Sequence, residues 1–175
     1  MKKLLPLLFA MITANALAQQ ARRPEDPYTL KAISIGPEFS MPAKTDFKYG
    51  VGASGQVEYP FTDLVSFTGS IAYTRYYYKV SSNEFGAVGP SIVIPVKVGA
   101  KFFLDPDIHC DIETGVALET NYTKRKSFAV SFLIGYTIPL EKNPGGVDIG
   151  LKFEDWGKER MRAVGLRVAY RLGWK

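Results

Sequence analysis

The sequence carries few of the residues with which proteins do chemistry. Cys110 is its one cysteine and His109 its one histidine in 175 residues. A lone cysteine excludes an intramolecular disulfide, even in an oxidising compartment. One histidine and one cysteine leave only carboxylates to complete a metal site, and no motif asks for a cofactor. Past the first 18 residues, no apolar run approaches the ~18 residues of a membrane helix. Nowhere is a helical 3.6 period sustained. An excess of one charge is missing too, with 22 Lys and Arg against 17 Asp and Glu. Lys2 and Lys3 belong to the leader described next, so the rest carries only about +3, which makes no case for nucleic acid.

The N-terminus reads as a secretory signal peptide over residues 1–18. Lys2 and Lys3 form the positive start, Leu4 to Ile12 the short apolar core, and Ala16-Leu17-Ala18 the cleavage site, with cutting expected before Gln19. No cysteine follows the apolar core, so a lipoprotein is not expected. Residues 19–28 are polar and proline-containing and read as a flexible lead-in. Residues 29–175 have the length of one domain.

That domain is written in period 2. In the last stretch, Val164, Leu166, Val168, Tyr170, Leu172 and Trp174 alternate with Ala163, Gly165, Arg167, Ala169, Arg171 and Gly173. Such alternation marks a β-strand with one apolar face. The same pattern recurs at about Leu30–Ser40, Lys48–Tyr59, Val65–Thr74, Pro90–Phe102, Ile108–Leu118, Ser127–Tyr136 and Val147–Glu154. Pro60 to Asp63 and Leu104 to Asp107 are expected turns. A longer loop is expected from about Tyr76 to Val88. Eight strands of roughly ten residues suit a tilted crossing of the hydrocarbon layer, and an even number returns both termini to one side.

A soluble barrel shows the same period with its faces reversed, apolar in and polar out. Three features oppose that. The second face is mostly Gly, Ala and Ser, which suits a cramped interior. Its charges have both signs: Glu38, Glu58, Glu113, Asp148 and Glu154 share it with Lys97, Lys101, Lys152, Arg167 and Arg171. Tyr49, Tyr59, Tyr73, Tyr136, Tyr170 and Trp174 sit toward the ends of the apolar face, as a membrane girdle does. A Lys or Arg facing lipid at mid-depth costs roughly 2–4 kcal/mol, so the charged face must point inward. The expected fold is all-β, an up-and-down antiparallel eight-stranded transmembrane β-barrel.

The runs S-I-G-P-E at Ser34 to Glu38, G-V-G-A-S at Gly50 to Ser54, I-P-V-K-V-G-A-K at Ile94 to Lys101 and G-L-R-V-A-Y at Gly165 to Tyr170 carry a resemblance. Together they resemble the small eight-stranded outer-membrane β-barrel proteins of Gram-negative bacteria, the porin-like outer membrane protein β-barrel domain family. The resemblance implies a cell outer-membrane location, and a monomer is expected by default. Gly165, Val168 and Tyr170 with a near-terminal aromatic resemble the C-terminal recognition strand of such proteins, which implies the barrel-assembly machinery as a partner.

Candidate sites are few. The lumen charge cluster is Lys97, Lys101, Glu113, Asp148, Lys152, Arg167 and Arg171, which either pairs to plug the interior or lines a passage for small ions. The basic run Lys124-Arg125-Lys126 reads as a contact for lipopolysaccharide phosphates or as a solvated loop tip; Arg75 is expected near the same rim. Tyr76, Tyr77 and Tyr78 read as a partner-binding cluster or as part of the girdle. His109 has Asp111 two residues on and no serine beside it, so a Ser–His–acid site for a lipid A-modifying enzyme is not expected. A lumen-side histidine hydrogen-bonded to Asp111 is. The function expected first is a non-enzymatic structural or interaction protein that displays surface loops. A passive channel for small solutes comes second and a lipid A enzyme third.

Overall fold

The computed structural model describes residues 30–43, 45–79, 89–122, 124–140, 145–157 and 161–174. The expected signal peptide and lead-in lie outside them. The described residues form eight strands: β1 (Lys31–Ala43), β2 (Phe47–Pro60), β3 (Val65–Tyr78), β4 (Ser91–Phe103), β5 (Ile108–Glu119), β6 (Lys126–Pro139), β7 (Gly145–Asp155) and β8 (Arg162–Trp174). Each pairs antiparallel with its chain neighbour, and β8 pairs with β1 to close the barrel. Closure leaves no open sheet edge, which a protein in lipid requires because hydrocarbon offers backbone groups no partner.

The two faces separate as the period-2 pattern predicts. Ile35, Val57, Phe67, Ile71, Val98, Phe128 and Leu166 lie exposed outside. Ser34, Ser54, Gln56, Lys97, Lys101, Asp111, Asp148 and Arg171 are buried inside. This inverts a soluble domain, and it is the arrangement of a transmembrane barrel.

The barrel has two distinct ends. The turn end holds the start of β1, the end of β8 and the tight turns after β2 and β4. There Thr62 Oγ1 accepts from the Leu64 and Val65 amides at 3.3 and 3.1 Å, and the Leu104 amide donates to Ile108 O at 2.9 Å. The loop end carries the connections after β1, β3, β5 and β7.

Several strands run longer than the periodicity predicts. Pro42 belongs to β1, paired with Ala163, rather than to a loop; Pro139 and Gly146 pair with each other in the β6–β7 ladder, and Gly145 pairs with Leu172 of β8, rather than lying in the turn between β6 and β7. The largest correction is in β3. Tyr76, Tyr77 and Tyr78 are strand residues paired with Gly50, Tyr49 and Phe47, so the connection expected to begin at Tyr76 starts after Tyr78. Aromatic residues favour a pleated, half-buried surface, and the three rings pack on neighbouring aromatics there.

Candidate functional site: a lumen filled in tiers

An eight-stranded barrel is just wide enough for inward side chains to fill it. Here the filling is stratified. At the loop end, Tyr76, Val93, Ala117, Ala129, Trp156, Met161 and Ala163 form an apolar cap with Phe47 packed against it. The Tyr76 and Trp156 rings meet edge to face at 5.5 Å, and Phe47 lies 5.4 Å from Tyr76. The Trp156 amide donates to Met161 O at 2.9 Å, which ties the end of β7 to the start of β8 beside the cap.

Beneath the cap lies the upper charged tier. Lys97 Nζ is 3.1 Å from Glu154 and 3.6 Å from Glu113, and it donates to Ser131 Oγ at 3.0 Å. Lys152 is ion-paired with Glu38 and stands 3.7 Å from Glu154. Arg167 Nε is 3.6 Å from Glu38. The same nitrogen donates to Ser54 Oγ at 3.0 Å and Nη2 donates to Ser34 Oγ at 2.7 Å, so the planar fork spans two strands.

The lower charged tier is nearer the turn end. Glu58 receives Lys101 at 2.6 Å on one oxygen and Arg171 at 2.9 Å on the other. Lys101 also faces Asp148 at 3.5 Å and Asp111 at 3.7 Å. Gln56 Nε2 links the tiers, donating to Asp111 and Glu113 at 3.0 Å each. His109 stacks on Phe103 at 6.3 Å. Its Nε2 is 3.3 Å from Asp148 and 3.9 Å from Asp111.

This corrects the expected His109–Asp111 hydrogen bond. Residues two apart on a strand are separated by about 7 Å of rise, whereas barrel closure brings Asp148 on β7 across the lumen to the ring. The pocket bounded by the upper tier, Gln56 and Asp111 holds about 20 Å³, room for roughly one water.

All seven residues of the expected lumen cluster are buried and brought together. Glu38, Glu58, Asp111 and Glu154 complete it. The apolar cap was not anticipated. Its signal was in the sequence, because Tyr76 continues the inward parity of Ser66, Thr68, Ser70, Ala72 and Thr74. Of the expected girdle, Tyr49 and Tyr73 lie toward the loop end, and Tyr59, Tyr136, Tyr170 and Trp174 toward the turn end. Lys124, Arg125 and Lys126 are exposed at the loop end. Arg75 is exposed there too, donating to Tyr73 Oη at 3.2 Å.

Solved structures share this architecture. Neisserial surface protein A (NspA) matches with a TM-score of 0.57 at 15% identity, over 82% of this chain and 97% of its own. Ail, the attachment invasion locus protein of Yersinia pestis, matches with a TM-score of 0.54 at 16% identity, over 81% and 97%. The fold is that of the small outer-membrane barrels. A de novo designed transmembrane β-barrel matches as well, with a TM-score of 0.51 at 10% identity, over 86% of this chain and 98% of its own. No protein-family model and no curated protein sequence matches the chain. At these identities the small outer-membrane barrel fold is what the likeness establishes, and a fold does not fix an activity.

Proposed function

We propose that the protein is a non-enzymatic barrel of the bacterial outer membrane, closed to solutes, which acts through the loops it displays. The observation that carries this reading is the filled lumen: two tiers of buried ion pairs lie beneath the Tyr76–Trp156 cap, and the pocket beside the upper tier holds about 20 Å³. A passive channel needs a continuous water path. An enzyme of the His-dependent kind needs its histidine within reach of substrate, and His109 is 1% exposed between Phe103 and Asp148. The signal peptide pattern and the apolar girdled exterior support the outer-membrane location. The turn end then faces the periplasm and the loop end the medium, with β8 as the strand offered to the assembly machinery.

The deciding measurement is single-channel conductance of the refolded, untagged protein in a planar bilayer, with heat-modifiable gel migration as the folding control. No steps from a folded barrel are expected. Regular, ion-selective steps would replace this reading with a pore.

Charge at the two ends supports a subsidiary role. Lys48, Arg75, Lys79, Lys124, Arg125, Lys126 and Arg162 stand exposed at the loop end with Asp46, whereas Asp63 and Asp105 are exposed at the turn end with Lys31. A basic outer rim suits the phosphates of lipopolysaccharide. Replacing Lys124, Arg125 and Lys126 together by alanine should lower lipopolysaccharide retained through purification, with folding unchanged. Unaltered retention would leave them as a solvated loop tip.

A further inference from the structure

The two charged tiers do not balance alike. In the upper tier Lys97, Lys152 and Arg167 face Glu38, Glu113 and Glu154, three charges of each sign. In the lower tier Lys101 and Arg171 face Glu58, Asp111 and Asp148, two cations against three carboxylates. Arg167 approaches Asp148 only at 3.8 Å and is shared with Glu38. Assigning it to either tier leaves the same total among the described residues, six carboxylates and five permanent cations. β1 and β3 bring no charge to this level, only the hydroxyls of Ser34, Ser66 and Thr68.

A lone uncompensated charge does not persist in so dry a place; it is neutralised. Among the described residues the one further titratable group in the tier is His109, which lies between Asp111 and Asp148. Both of its ring nitrogens, Asp111 Oδ1 and Asp148 Oδ2 are buried without a hydrogen-bond partner. His109 is 1%, Asp111 3% and Asp148 1% exposed. The His109 Nε2 to Asp148 Oδ1 separation of 3.3 Å is one that a proton converts into a hydrogen bond.

We propose that His109, Asp111 and Asp148 form a proton-binding site that holds one proton at neutral pH and so makes the lower tier electrically neutral. The site is a pH-sensitive element of the plug. Losing the proton leaves a buried negative charge beside Glu58, so the folded state binds one more proton than the unfolded chain. Stability therefore falls as the pH is raised through the loss of that proton.

The test is solid-state NMR of the untagged barrel in bilayers at neutral pH, with histidine labelled in ¹⁵N and aspartate in side-chain ¹³C. His109 is the single histidine, so its ring needs no assignment. One protonated group is expected, either an imidazolium or one buried aspartic acid. A neutral ring with both carboxylates ionised overturns the proposal.

In Asp148→Asn two carboxylates meet two cations, so a neutral ring and an ionised Asp111 are expected; a protonated group retained there also overturns it. Should Asp148→Asn fail to migrate as a folded barrel, Asp111→Asn is read in the same way, with Asp148 as the reporter. As a second readout, the wild-type urea midpoint should fall on alkalinisation and that of the Asn variant should not; equal slopes count against the site.

Discussion

Gly135 shows how tightly single residues are set in this lumen. A Cβ at this position falls 2.1 Å from His109 Cε1, because the ring lies flat across the β6 backbone where any side chain would stand. Gly135→Ala must push the imidazole out of its stack on Phe103. We expect a loss of about 1–3 kcal/mol, read as a lower urea midpoint in reversible unfolding from lipid vesicles. Glu58 is the other critical residue, since Lys101 and Arg171 both converge on it. Glu58→Gln leaves two buried cations short of their main acceptor. Removing one member of such a set costs about 3–5 kcal/mol, so Glu58→Gln should be more damaging than Gly135→Ala in the same assay.

Strands are the scale at which inside and outside are decided. Leu151, near the middle of β7, is exposed on the outer face, between the inward Gly150 and Lys152. Lysine is thus accommodated at position 152 and excluded at 151. Leu151→Lys should cost roughly 2–4 kcal/mol in vesicles and much less in a micelle that can deform around it. Equal losses in both media would show that β7 does not face lipid there. Where β2 meets β3, the register shifts between Phe47 and Tyr49. The bulge leaves Phe47 packed against the Tyr76 cap and Lys48 exposed, and re-aiming a side chain in this way is what bulges do.

Over the whole molecule the lumen is blocked three times, by rings at the loop end and by two charged tiers beneath them. Tyr76→Ala removes part of the cap, and Lys97→Gln with Glu154→Gln removes one ion pair of the upper tier. Even their combination leaves the lower tier around Glu58 and Lys101, so no conductance steps are expected in a planar bilayer from either set or from both; steps from the combination would show that the lower tier does not block. The charged tiers are also shielded from bulk ions, so raising salt from 0.1 to 1 M should scarcely move the unfolding midpoint, although it shortens the screening length about threefold. A strong salt dependence would locate the important ion pairs on the surface.

The alternation of side chains along each strand was enough to establish eight strands, their two faces and the inward direction of the charges, because a pleated strand allows its side chains only two directions. The lumen set from Lys97 to Arg171 was legible for that reason. Which acid meets which base was not. His109 was expected beside Asp111 and lies nearer Asp148, and Lys97 reaches Glu154 three strands away. Those contacts run across the barrel, and they depend on the register and curvature that arise only when β8 closes on β1. The apolar cap has the same origin. Tyr76, Trp156 and Met161 come from one strand and one hairpin far apart in the chain, and only closure gathers them over one mouth.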